Sequence, residues 1–371
     1  MHRLIIIFFI SIFLLSCGSQ KEREFKLREA KGGKYYGGTF RYNEEEYFKS
    51  LYPLNITEVT AHRMLDQIYE GLVSFNDSTL AVVPALAERW TIDESKKIYT
   101  FYLRKGVFYH DDACFPNGKG RELKAQDVKF CFDRLCYHNP ADNQGFWIFK
   151  DVGKNILPPN GVSGVRVVND STIEIELEKP YAVFLARLAL IFGKIYPREA
   201  FEKYGADMRE HCVGTGPFYL KINQDNQVSF LARNPNYWKK DEFGNQLPYL
   251  DAIRVSYIKE KKNELLEFKK GNSDMVYKFP LEMIEEIMDN KHNLKPEYKQ
   301  FQLQFMPTMS LQYYGFQHQG KIFHDINVRK AFCYAYDRAK LCEYTLKGSG
   351  FPAIYGIVPP GTGTYDSKQV K

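Results

Sequence analysis

Apolar residues recur along the chain with two periods, and each period places elements. Ala61, Met64, Leu65, Ile68 and Tyr69 are spaced as the stripe of an amphipathic helix. Thr60 stands where an N-cap would, and Gly71 follows as a C-terminal glycine would. The helical period also predicts a helix over 124–136, with Val128, Cys131, Phe132, Leu135 and Cys136 on one side. Further helices are predicted over 182–190, 198–204, 262–270 and 281–288. Strand signals fall at 37–42, 72–75, 218–222, 228–232, 252–257 and 275–277. Two hairpins are predicted, 90–92 with 98–103 across Asp93-Glu94-Ser95-Lys96, and 165–168 with 172–177 across Asn169-Asp170. Helices and strands interleave irregularly, which places the chain in the α/β or α+β class with mixed sheets. There is no internal repeat and no low-complexity tract.

The N-terminus follows neither period. From Leu4 to Leu15 it is apolar except at Ser11, twelve residues in all. About 20 are needed to cross a bilayer, so the run has the layout of an export signal behind His2 and Arg3. Leu14-Leu15-Ser16-Cys17-Gly18 resembles the bacterial lipoprotein box, which implies that Cys17 carries lipid and becomes the first residue. A plain signal peptide or an uncleaved anchor is the alternative. Residues 18–38 are charged and punctuated by glycine, and 17–36 are expected to act as a tether.

Composition adds little to this picture. Hydrophobic residues at 44% and charged residues at 26% are those of an ordinary globular protein, and 371 residues predict two or three domains. The 26 Tyr and 28 Phe against 3 Trp hint at recognition, because Tyr offers a rigid apolar face with one polar tip. Net charge is +6, or +5 once Arg3 is removed with the leader. No basic block or aromatic-interleaved basic stripe occurs, so a nucleic-acid partner is not expected. Six cysteines remain beside Cys17, and either bridges or buried thiols would suit an exported chain.

Catalytic and metal motifs are sparse. No His-Glu-x-x-His or Cys-x-x-Cys occurs. Gly161-Val162-Ser163-Gly164-Val165 lacks the last glycine of a nucleophile elbow and opens a hairpin strand. Gly118-Lys119-Gly120 lacks the remainder of a phosphate loop. His110-Asp111-Asp112-Ala113-Cys114 holds four potential ligands, but adjacent loop residues seldom converge on one ion. Neither catalytic residues nor a metal or cofactor are expected.

One resemblance organises the remainder. It runs through Val83-Pro84-Ala85-Leu86-Ala87-Glu88-Arg89-Trp90, Ile98-Tyr99-Thr100-Phe101-Tyr102-Leu103-Arg104-Lys105-Gly106-Val107-Phe108 and His110-Asp111. Ile68-Tyr69-Glu70-Gly71-Leu72, Lys124-Ala125-Gln126-Asp127-Val128, Val213-Gly214-Thr215-Gly216-Pro217-Phe218 and Asn234-Pro235-Asn236-Tyr237-Trp238 continue it in order. Leu247-Pro248-Tyr249-Leu250-Asp251, Val328-Arg329-Lys330-Ala331-Phe332, Tyr336-Asp337-Arg338 and Val358-Pro359-Pro360-Gly361 complete it. Together these resemble bacterial extracellular solute-binding proteins of family 5, the oligopeptide, dipeptide and nickel receptors of ABC importers. In Gly214-Thr215-Gly216-Pro217 the glycines are expected to supply positive φ at a chain reversal.

The resemblance implies a two-lobed, type II periplasmic-binding-protein clamshell with an extra inserted subdomain. It assigns 37–56 and 166–262 to the first lobe, 57–165 to the inserted subdomain and 263–371 to the second lobe. Family chains run well past Val-Pro-Pro-Gly, so that second lobe is expected to be incomplete. An oligopeptide would lie extended in the cleft, meeting Thr57, Glu58 and Val59 from one side and an aromatic strand at Tyr313 and Tyr314 from the other. The implied partners are the solute, the permease subunits of an ABC transporter, and the membrane through the lipid anchor. A nickel complex, a saccharide or haem could replace the peptide. Two other functions stay open: a truncated receptor without a transport role, and an exported lipoprotein peptidase with a dispersed triad. Changing Cys17→Ser is expected to release a folded protein from the membrane fraction, which fractionation checks; recovery in the membrane would remove the anchor.

Overall fold

The computed structural model describes residues 27–136, 143–149, 151–152, 156–157, 161–289, 293–305, 310–354 and 356–359. The expected leader at 1–16 and Cys17 lie outside them. Two compact units divide the chain, Met1–Val276 and Tyr277–Lys371.

The first unit begins with β1 (Arg28–Glu29), β2 (Tyr35–Tyr36), β3 (Thr39–Glu44) and helix α1 (Val59–Ile68). Next come β4 (Val73–Phe75), β5 (Val82–Pro84), β6 (Ala87–Ile92), β7 (Ile98–Leu103) and α2 (Ala125–Cys136). Then follow β8 (Ile156–Leu157), β9 (Gly161–Val162), β10 (Val165–Asn169) and β11 (Thr172–Glu176). The unit continues with α3 (Phe184–Leu188), α4 (Arg198–Tyr204), β12 (Phe218–Gln224), β13 (Val228–Arg233), β14 (Ala252–Tyr257) and α5 (Lys261–Lys269).

Two four-stranded sheets carry this unit, ordered β10-β11-β7-β6 and β12-β13-β14-β3. The first is antiparallel throughout, and β7 alternates half-buried and buried residues, with Tyr99, Phe101 and Leu103 turned inward. In the second, β14 pairs in parallel with β3, Ala252 opposite Thr39 and Tyr257 opposite Glu44. That pairing joins segments more than two hundred residues apart, and periodicity alone does not reveal it. A single hydrophobic core spans both sheets and includes Leu51, Leu65, Phe101, Phe132, Ile173, Leu231 and Val255.

Several sequence expectations are corrected. The 165–176 hairpin pairs with β7, so a first-lobe boundary at 165/166 would cut through β10. Part of the expected tether is folded, because Arg28 and Glu29 pair with Tyr36 and Tyr35. Residues 275–277 form no strand, and the helix expected over 281–288 is a 3-10 turn (Leu281–Met283) followed by one α turn, α6 (Ile284–Ile287). Of the two cysteine outcomes that the sequence leaves open, Cys114, Cys131, Cys212, Cys333 and Cys342 take the free thiol.

In the second unit, α7 (Ile326–Ala335) and α8 (Arg338–Lys340) bury none of their residues. Asp325 caps α7 by accepting from the Asn327 N–H at 2.8 Å. Phe316, Phe323 and Phe332 gather into an aromatic cluster with ring centroids 5.0 to 5.9 Å apart. Among the described residues, no helix is long and apolar enough to cross a membrane.

Candidate functional site

The exposed loop before α1 is held by its anchors on both sides. Upstream, Leu51, Tyr52, Pro53, Leu54 and Ile56 are all buried. The Tyr52 hydroxyl lies 3.0 Å from that of Tyr196, and Arg134 Nε donates to it at 3.2 Å. Downstream, Ala61, Met64, Leu65 and Ile68 bury one face of α1, and Arg63 forms a bidentate pair with the buried carboxylate of Glu44 on β3. Thr57 and Val59 are left exposed between these anchors, Val59 by 66%.

The expected Thr60 cap is replaced by a helix that starts two residues earlier. Val59 is its first residue and Glu58 takes the cap position, yet the Glu58 side chain makes no capping bond. Its Oε1 sits 3.3 Å from Lys49 Nζ. Thr60 lies inside the first turn, and its hydroxyl finds no partner among the described residues. The first-turn N–H groups of α1, at the positive end of the helix dipole, therefore receive no side-chain cap from Glu58.

At the other end of α1, three of the sequence motifs meet on one carboxylate. Glu70 accepts from Tyr237 Oη at 3.0 Å, Trp238 Nε1 at 2.9 Å and Thr215 Oγ1 at 2.9 Å. Burial pushes the Glu70 carboxyl above its ordinary range, while the three donors and the charge of Lys194 pull it back. Gly214 and Gly216 have no positive φ, which corrects their expected role. They are glycine because a Cβ on Gly214 would strike the Ile68 carbonyl, and one on Gly216 the Gln67 carbonyl. Gly71 likewise has no positive φ; it bridges Lys194, with backbone oxygens of Gly193 and Val73 3.2 Å from where its Cβ would stand.

His110 locks the same loop from the opposite side. It is buried, its Nε2–H donates to the Gly216 carbonyl at 2.9 Å, and Nδ1 accepts from the Gly214 N–H at 3.4 Å. Accepting at Nδ1 requires the neutral ring, with its proton on Nε2. The neighbouring potential ligands turn elsewhere: Asp111 to Lys119, and Asp112 to the Cys114 N–H and Tyr204 Oη. Among the described residues, no group of His, Cys, Asp and Glu is placed to hold a metal ion. Sequence reasoning misses the structural roles of Glu70 and His110, although each stands inside one of the motifs that carry the family resemblance.

Thr57, Glu58 and Val59 belong to the first unit and Tyr313 and Tyr314 to the second. The tyrosines are 80% and 73% exposed, and the segment 311–317 is not a strand, contrary to expectation. The Tyr314 ring stands edge-on to that of Tyr336, with centroids 5.4 Å apart.

Burial pulls the His110 imidazole down from 6.5 to about 4. In the unfolded chain the ring takes a proton below about 6.5, whereas the folded ring stays neutral until about 4, so acid favours unfolding. The contribution is complete above 6.5 and is lost as pH falls toward 4, with a slope of up to about 1.4 kcal/mol per pH unit. Urea unfolding across this range should show the slope in the wild type and lose that increment in His110→Asn. An unchanged slope in the variant would contradict it.

The chain was compared with known proteins. The family model "Bacterial extracellular solute-binding proteins, family 5 Middle" matches residues 81–371. A dipeptide-binding protein of Escherichia coli K12 is 31% identical over 305 residues, covering 79% of this chain and 52% of the relative. Heme-binding protein A of Haemophilus influenzae is 28% identical over 372 residues, covering 96% and 63%. A dipeptide-binding protein from Pseudoalteromonas, solved with Met-Leu, superposes with a TM-score of 0.69 at 22% identity, covering 89% of this chain and 63% of that one. An ABC transporter-associated periplasmic binding protein from Helicobacter pylori, solved with the peptide STSA, gives 0.66 at 23%, covering 84% and 59%. The structural likenesses establish the α/β fold of periplasmic binding proteins, and the chain spans about half to two thirds of the length of these relatives. With the family match covering most of its length, the chain belongs to the bacterial extracellular solute-binding proteins of family 5.

Proposed function

We propose that this protein captures oligopeptides outside the cytoplasm for an ABC importer, while lipid on Cys17 holds it to the membrane. It binds and releases its solute unchanged. The observation that carries the proposal is the Thr57–Val59 segment, in which Thr57 and Val59 are exposed while buried residues fix it at both ends. A rigid, outward-facing stretch of backbone suits an extended peptide, whose main chain supplies the complementary donors and acceptors. The first turn of α1, which lacks a side-chain cap, would offer N–H groups to peptide carbonyls or a carboxylate. The Glu58 carboxylate, 3.3 Å from the exposed Lys49 and otherwise buried, would have to turn outward to accept from a peptide ammonium. Support for the solute class comes from relatives named for dipeptides and for glutathione, itself a tripeptide.

Haem is the second reading. It is supported by the relative named for heme, which aligns over 96% of this chain. Titration of the complete protein with tri- and tetrapeptides and with haem separates the two ligands. Val59→Pro then tests the site, because proline is tolerated at the first helical position but removes one backbone donor. The variant is expected to weaken peptide binding by about 2- to 10-fold, one hydrogen bond's worth, with stability unchanged. Equal affinity in the variant and the wild type would remove this segment from the site.

A further inference from the structure

The ribbon formed by β1 and β2 is clasped to the body by the loop before β14. Asn245, itself buried, accepts the Lys31 N–H at 2.9 Å and donates to the Lys31 carbonyl at 3.0 Å. Asp241 shapes that loop by accepting the N–H groups of Phe243 at 3.0 Å and Asn245 at 2.7 Å. Arg28 pairs with Asp251, and the Gly37 N–H donates to the Tyr249 carbonyl at 2.9 Å. The rings of Tyr36 and Tyr249 lie 5.3 Å apart, with the Arg233 guanidinium 4.5 Å above Tyr36. Phe243 packs against Gly32, where a Cβ would come within 2.6 Å of its ring. A free tether would need none of these contacts.

The clasp sets the length of the leash. Only ten residues separate Cys17 from Leu27, against twenty from Cys17 to Gly37. At about 3.5 Å per residue these reach about 35 Å and about 70 Å. A compact unit of this size has a radius of gyration of about 18 Å, so half its girth is about 70 Å. Released from the clasp, the chain could pass around the body and let any face meet the bilayer. Clasped, it reaches only half as far.

We propose that the surface formed by the ribbon and the loop from Lys239 to Asp251 faces the membrane, held there by this short leash. The proposal rests on lipid attachment at Cys17. On this surface the exposed Lys31, Lys34, Lys239 and Lys240 outnumber the exposed acids Glu29 and Glu242 and stand beside the exposed rings of Tyr35 and Phe243, which suits a bilayer with anionic headgroups. Solute capture would then take place on a body of fixed presentation rather than one that tumbles.

Labelling with a membrane-impermeant amine reagent, read by peptide mass spectrometry, tests this on the native lipoprotein in vesicles and on its soluble Cys17→Ser form. Lys31, Lys34, Lys239 and Lys240 should react several-fold more slowly in the membrane-bound protein. Lys96 and Lys105, exposed beside the other sheet, should react equally in both forms. Inserting about twenty Gly and Ser residues after Ser19 should return the four lysines to the soluble rate while the protein stays in the membrane fraction. Equal protection of all lysines, or none while the protein remains membrane-bound, overturns the orientation. Loss of the wild type from the membrane fraction instead overturns the anchor, and the orientation with it.

Discussion

A carboxylate withdrawn from water must be given donors by its surroundings, and Glu70 takes them from two loops distant in sequence. Thr215 reaches it from the loop before β12, and Tyr237 and Trp238 from the turn after β13. Placed just beyond the end of α1, it ties that helix to the sheet β12-β13-β14-β3. Glycines 214 and 216 allow the loop to approach the helix end, and His110 closes it from behind. Helix α1 is thus held at its C-terminal end by polar contacts and along one face by apolar ones. At its N-terminal end Thr57 and Val59 are left exposed. A proposed binding segment supported in this way would lose little ordering entropy on binding.

Much of this was legible in the sequence, and the failures have a common cause. The strand Ala252–Tyr257 and the helix Arg198–Tyr204 were readable to the residue because apolar periodicity and flanking turns agree there. The start of α1 was misplaced at Thr60, since a hydroxyl that can cap need not do so when the helix face is positioned by its core contacts. Gly214 and Gly216 are glycine through close approach to Ile68 and Gln67, a tertiary fact that local turn chemistry does not reveal. The ribbon at 28–36 read as tether because it is short and charged, and its partners lie two hundred residues away. Glu70 stood inside a recognised motif, but its role depends on donors from two other motifs. Non-local pairing is what local patterns do not encode.

The family assignment and the chemistry of the site rest on different grounds. Membership follows from the match over residues 81–371. Function has to be argued from Thr57, Glu58 and Val59 and from how they are held, because one fold can serve many ligands. The second unit contributes less to that argument. Its buried apolar residues include Met283, Ile284, Ile287, Met288 and Tyr298, while Ile326, Phe332 and Tyr334 on α7 remain exposed.

The measurement that bears most directly on the account is the unfolding free energy of Glu70→Ala against the wild type near neutral pH. Removing the carboxylate strands the donors of Thr215, Tyr237 and Trp238, and the account predicts a loss of about 3 kcal/mol or more. A loss below about 0.5 kcal/mol, the scale of an ordinary surface substitution, would contradict the claim that this one buried acid positions α1 and the loop in front of it.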